Sequence, residues 1–161
     1  MIMDLEDNKL RITFEGESTR HFVLPLIDTS RNETPPLEKL EFSTHLRMNT
    51  DILSSGIEDA ELITDSVVFT VRKDMLMMKS ESDSSLTQLQ LPTGTESLKI
   101  VDIGEPVRAR YSLDYLKKII KARKLAKDAN IAIGTDYPMK IEFDVPGKMR
   151  LGFVLAPRVE E

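Results

Sequence analysis

Short alternating runs of apolar and polar residues open the chain. In Leu10-Arg-Ile-Thr-Phe14 every second residue is apolar, which puts Leu10, Ile12 and Phe14 on one face of a strand. The turn residues Gly16-Glu-Ser18 separate it from a second predicted strand over 19–27. Residues 28–39 are rich in Asp, Ser, Asn and Thr and contain Pro35-Pro36, so they predict an extended linker; a Pro-Pro pair cannot continue a helix. Residues 40–46 alternate again, as a strand does. The period then changes. Ile52, Leu53, Gly56, Ile57 and Ala60 recur at helical spacing, predicting a helix over 49–62 with Asn49 or Thr50 as N-cap and Asp51 near its positive end. Four short strands follow at 67–72, 75–80, 86–91 and 98–103, divided by Asp, Ser and Gly turn chemistry. Another strand at 107–111 leads to Ser112, the predicted N-cap of a second helix reaching about residue 125. Leu113, Leu116, Ile119 and Ile120 form its apolar face. Lys117, Lys121 and Lys124 share another face, with Lys118 and Asp114 at its edge. A strand at 130–133 and a hairpin of 139–145 with 149–155, turning at Val145-Pro-Gly-Lys148, complete the pattern.

Composition narrows the classes this pattern can serve. At 161 residues the chain suits one domain of usual size with an appendage, and 40% apolar with 30% charged residues excludes a disordered composition. The absence of cysteine excludes a disulfide framework, a thiolate metal site and a cysteine nucleophile, and is compatible with a reducing compartment. No apolar run approaches the ~18 residues of a membrane-spanning helix. The opening Met1-Ile-Met-Asp-Leu-Glu-Asp7 is too acidic and short for a signal peptide, so the expectation is a soluble intracellular protein with no membrane partner. Met75, Met77 and Met78 read as core filling. His21 and His45 read as ordinary strand residues, and Asp59, Asp65, Asp74 and Asp83 as helix-end and turn residues. With no phosphate-binding or dinucleotide-binding glycine motif and no zinc-protease His-Glu motif, the expectation is a protein that is not an enzyme and takes no cofactor or metal.

Charge changes the picture more. The chain carries −5 in total, yet residues 110–127 hold seven bases against the single acid Asp114, a local +6 on a body of −11. A solvated helix face and a phosphate-facing one share this pattern. The chain ends also resemble each other. Leu10-Arg-Ile-Thr-Phe14 matches Met139-Lys-Ile-Glu-Phe143, and Phe22-Val-Leu-Pro-Leu26 matches Phe153-Val-Leu-Ala-Pro157, at offsets of 129 and 131. A period of that size is a domain repeat. Residues 1–27 then read as the last hairpin of an incomplete first domain, 28–41 as a connector and 42–161 as a complete second domain.

In order and spacing, five segments resemble the DNA sliding clamp, the proliferating cell nuclear antigen family, of archaeal type. They are Phe22-Val-Leu-Pro-Leu-Ile-Asp28, Gly56-Ile-Glu-Asp-Ala-Glu-Leu-Ile-Thr-Asp-Ser66, Tyr115-Leu-Lys-Lys118, Asp136-Tyr-Pro-Met139 and Leu155-Ala-Pro-Arg-Val-Glu-Glu161. The resemblance implies an α+β clamp fold, with two helices packed on antiparallel sheets. It implies a non-catalytic processivity factor for DNA replication and repair: a homotrimeric ring around duplex DNA, without sequence preference, that serves DNA polymerase, clamp loader, flap endonuclease and ligase. Its place is then the cytoplasm, on the nucleoid if the source is archaeal. Lys117, Lys118, Lys121 and Lys124 would face DNA. Leu37, Leu40, Pro138, Val154, Ala156, Pro157, Arg158 and Val159 would receive partner peptides. Arg20, Phe22 and Leu24 of one protomer would meet Leu86, Gln88 and Leu89 of the next. The first helix departs from the family, showing Ser54, Ser55 and Glu58 where bases are common. The alternative is a clamp fragment or interaction module unable to close a ring.

Overall fold

The computed structural model describes residues 2–6, 9–14, 18–25 and 39–159. The chain divides into two units, Met1–Leu40 and Glu41–Glu161. In the first, β1 (Ile2–Glu6), β2 (Lys9–Phe14) and β3 (Arg20–Pro25) form an antiparallel sheet in that order. The alternation of the sequence predicts β2 and β3 but not β1, whose pattern is only a few residues long and reads as an acidic terminus. Thr13 and His21 face each other across β2 and β3 and share a 3.0 Å hydrogen bond through Oγ1 and Nδ1. Residues 28–38 of the predicted linker and the end of the predicted second strand lie outside the described residues.

The second unit is α+β. It contains β4 (Thr44–Asn49), α1 (Thr50–Glu61), β5 (Ser66–Val71), β6 (Met75–Glu81), β7 (Leu86–Pro92), β8 (Leu98–Ile103) and β9 (Val107–Ser112). Then come α2 (Leu113–Ile119), β10 (Asp128–Ile133), β11 (Met139–Val145) and β12 (Met149–Leu155). Five strands pair in the order β12-β11-β10-β4-β8 and four in the order β7-β6-β5-β9, each neighbour antiparallel to the next. Alternation explains why both sheets are one-sided. Along β5, Val67, Phe69 and Val71 are buried, and along β9 Val107, Ala109 and Tyr111 are, while the residues between them face away. Met78 follows this rule and joins the core; Met75 and Met77 fall on the other face and are half-buried, so only one of the three methionines fills the core as expected. The helices cover the buried faces: α1 touches β4 to β7, and α2 touches β9.

Helix ends show local chemistry at work. The strand read at 40–46 lies later, as β4, and runs straight into α1. Asn49 Oδ1 accepts from the amides of Asp51 (2.9 Å) and Ile52 (3.2 Å), the side-chain cap that the sequence predicts. Ser112 has the extended backbone of an N-cap but makes no side-chain cap bond; the Leu113 amide instead donates to the Asp65 carbonyl at 2.9 Å. The second helix is also shorter than its periodicity predicts. After Ile119 it tightens into a 3₁₀ turn, Ile120–Leu125, which packs on β11 and in which Ile120 is buried. Tertiary burial overrides the α-helical pattern. At the closing hairpin the Lys148 amide donates to the Val145 carbonyl at 3.0 Å, and Gly147 takes φ 72°, the left-handed value a type II turn requires after proline.

The matched end segments pair in the same way. Ile12 faces Phe22 across β2 and β3, and Ile141 faces Phe153 across β11 and β12. Leu10 with Leu24 corresponds to Met139 with Leu155 in the same way. The two hairpins share register, not only composition.

Candidate nucleic-acid and partner surfaces

The first surface is built by α1, α2 and the 3₁₀ turn. With Leu113, Leu116, Ile119 and Ile120 buried, the polar residues between them are forced outward. Lys118, Lys121 and Lys124 are exposed and Lys117 is half-buried. The structure gives these four different electrostatic settings. Lys117 donates to the Glu61 carboxylate of α1, and that hydrogen bond is the main reason its pKa lies above the ordinary lysine value. Lys118 sits 5.6 Å from the centre of the Tyr115 ring. Lys121 and Lys124 have no ion pair among the described residues.

Across from them, α1 is acidic. It carries Asp51, Glu58, Asp59 and Glu61 and no base, whereas residues 113–125 carry five bases against Asp114, so the two helices cancel in formal charge. Arg123 reaches Asp51 at 3.1 Å, a second bridge between the helices. Between them runs an open groove of about 690 Å³ with Glu58, Glu61, Lys117, Lys121 and Lys124 among its walls. Ser54, expected on the polar side, is buried and donates to Glu58 Oε1 at 2.8 Å. Sequence reasoning missed Glu61, Asp51 and Arg123 as parts of this surface. The acidic spacing of α1 was the available signal.

The second surface consists of sheet edges. β7 ends the four-stranded sheet and β3 ends the three-stranded one, each pairing on one side only among the described residues. On β7, Leu86 and Gln88 are exposed while Leu89 is half-buried against the core, because alternate residues point to opposite faces. Arg20, Phe22 and Leu24 are placed on β3 by their backbone register.

The third surface is the segment after β12. Leu155 is buried, Val154 and Pro157 are half-buried, and Ala156, Arg158 and Val159 are exposed, Val159 at 74%. The Arg158 amide donates to the Arg110 carbonyl of β9 at 2.7 Å, and its guanidinium lies 2.8 Å from Asp65. That hydrogen bond holds the Asp65 carboxyl below its ordinary pKa. Half-buried Pro138 belongs to the neighbouring loop, anchored where the Tyr111 hydroxyl donates to the Tyr137 carbonyl at 2.7 Å. Burial raises the Tyr111 pKa, and the Asp136 charge adds to it. Leu40 is half-buried, and Leu37 lies outside the described residues. Among the described residues no group of three or more His, Cys, Asp or Glu side chains is placed to hold a metal ion, and no helix is long and apolar enough to cross a membrane.

Comparison with known proteins gives these surfaces a context. The family described as proliferating cell nuclear antigen, C-terminal domain, matches residues 36–158. The DNA polymerase sliding clamp of Pyrococcus furiosus is 33% identical over 156 residues, covering 97% of this chain and 62% of that protein. The protein of the same name from Nanoarchaeum equitans is 35% identical, covering 96% of this chain and again 62% of the relative. The crystal structure of proliferating cell nuclear antigen from Thermococcus kodakaraensis superposes with a TM-score of 0.72 at 23% identity, over 97% of this chain and 64% of that one. This chain therefore spans less than two thirds of the length of these relatives. By the family match over most of its length, and with the same arrangement of two helices on two antiparallel sheets, the chain belongs to the proliferating cell nuclear antigen family.

Proposed function

We propose that this chain works as a DNA polymerase processivity factor, a non-catalytic clamp subunit that encircles duplex DNA and tethers replication and repair enzymes. The observation that carries the reading is Lys121 with Lys124, exposed beside one another and without an ion pair among the described residues, in a chain whose relatives are named DNA polymerase sliding clamps. Lysine contacts to phosphates carry no sequence information and weaken with salt. That suits a tether held on DNA by its topology. The acids of α1 keep the helix pair neutral in sum, which favours weak contact and free sliding over tight binding.

The remaining parts follow from the same reading. The free edge of β3 in one protomer meets the free edge of β7 in the next, and three copies close a homotrimer. Polymerase, clamp loader, flap endonuclease and ligase dock through a short segment that adds to the tail around Ala156–Val159, with the apolar side chain of Pro138 beside it.

The deciding experiment is an anisotropy titration of two duplexes of unrelated sequence over a range of salt. Lys121→Ala/Lys124→Ala is expected to weaken both equally and to flatten the log–log salt slope by about two, one for each phosphate left without its lysine. Unchanged binding overturns the DNA-facing assignment. Solution mass tests the ring: a trimer supports closure, and a monomer that still binds partner peptides makes the chain an interaction module.

A further inference from the structure

The four-stranded sheet has a second face, turned away from the helices, that the clamp reading leaves unused. Since Val67, Phe69 and Val71 point into the core, Val68 and Thr70 point the other way. Register sets Val68 between Arg110 and Lys79, and Thr70 between Arg108 and Met77. A hollow of about 640 Å³ opens over these rows, closed on one side by Arg158 and Val159. A smaller recess of about 160 Å³ continues it between Arg108, Asp136 and Val159.

Its charge balance is uneven. Arg72, Lys79, Arg108, Arg110 and Arg158 surround the hollow, against Asp65 and Glu81. Both acids are already engaged, Asp65 by Arg158 at 2.8 Å and Glu81 by Lys79 at 2.6 Å. The guanidinium groups of Arg72 and Arg108 have no partner among the described residues. Like charges placed side by side on one sheet face repel, and an incoming carboxylate relieves that repulsion while forming charge-assisted hydrogen bonds. The floor is different in kind: Val68 and Met77 are half-buried apolar side chains, with exposed Val159 at the edge.

We propose that this hollow docks an acidic peptide segment with one apolar anchor, its carboxylates meeting Arg72 and Arg108 and its anchor resting on Val68 and Met77. Guanidinium groups above an apolar floor match such a segment. A duplex backbone offers phosphates but nothing to cover the floor, and the hollow is sized for a few residues of extended chain. The site lies on the sheet face turned away from the helices and includes neither Lys121 nor Lys124, and of the residues proposed to receive partner peptides it shares only Arg158 and Val159.

The test is a titration of a short fluorescein-labelled peptide in which glutamates flank a single leucine, with its glutamine counterpart as control. Wild type and Lys121→Ala/Lys124→Ala are expected to bind the glutamate peptide alike and to lose it as salt rises. Arg72→Ala/Arg108→Ala is expected to bind it about tenfold more weakly, the scale of one or two charge-assisted hydrogen bonds. Arg72→Glu/Arg108→Glu should lose it and gain the lysine version of the peptide, a switch that misfolding does not produce. Equal binding by wild type and the alanine pair overturns the proposal. So does a matching loss of duplex affinity in that pair, which makes nucleic acid the ligand. Binding that emerges only in Glu160→Gln/Glu161→Gln also overturns it, by making the chain's own acids the occupant.

Discussion

Gly56 shows how much a single position depends on a neighbour distant in sequence. A Cβ there would stand 2.7 Å from Met78 Sδ and 2.9 Å from Met78 Cε, with Leu89 Cδ1 at 3.4 Å. Met78 is in the core, so its sulfur cannot swing out into solvent. Two effects compete in Gly56→Ala. Alanine is better than glycine inside a helix by about 1 kcal/mol, while overpacking a filled core costs about 1–3 kcal/mol. The clash is expected to win, leaving the variant about 1 kcal/mol less stable in chemical denaturation. In a Met78→Val background the obstructing atoms are gone, and Gly56→Ala is expected to stabilise. A double-mutant cycle that shows no coupling between the two positions refutes the close-approach argument. Helical spacing put Gly56 on the buried face of its helix, but nothing in that spacing names the atom it faces. Met78 comes from a strand whose alternation sends Met75 and Met77 elsewhere, so three clustered methionines could not be sorted before their strand's faces were known.

The same limit governs the helix pair. A wheel drawn for the second helix collects Lys117, Lys121 and Lys124, and the structure keeps them on its polar side despite the 3₁₀ turn that begins at Ile120. A wheel cannot show what lies on the neighbouring helix. Glu61 and Asp51 meet Lys117 and Arg123 across 56 and 72 residues of chain. On the DNA-facing role proposed for these cations, the acids of α1 would compete with phosphate for them. Glu61→Gln is therefore expected to tighten duplex binding at low salt and to steepen the salt slope by about one, as Lys117 becomes free to meet a phosphate. The sign of the linkage fits. Glu61 raises the Lys117 pKa, so the stabilisation of the charged lysine is present at neutral pH and is lost as pH rises through the shifted value. The pair is solvent-exposed, and the thermal midpoint should hardly move while binding changes. Duplex affinity unchanged in Glu61→Gln, alongside weaker binding by Lys121→Ala/Lys124→Ala, refutes the competition and leaves the DNA-facing assignment intact.

For the whole chain, the matched ends were the most informative pattern in the sequence, because paired strands preserve alternation and register even where loops differ. The structure explains the offsets of 129 and 131: Ile12 opposite Phe22 and Ile141 opposite Phe153 are the same rung of two hairpins whose turns differ in length. What the pattern left out was β1, too short to register as a period. The hydrophobic core has a simpler distribution than the repeat. Among the residues whose burial is described, every buried member of the cluster lies between Leu46 and Leu155, within the unit Glu41–Glu161. Burial of apolar surface is the main favourable term in folding, so residues 41–161 alone should unfold cooperatively, close to the thermal midpoint of the main transition of the full chain. Amide exchange supplies a local check: protection along β5 and β11, whose inward residues are core, should be the same in both proteins. A shortened chain that is molten, with secondary structure but no cooperative transition, means that residues 1–40 contribute to the second unit's stability.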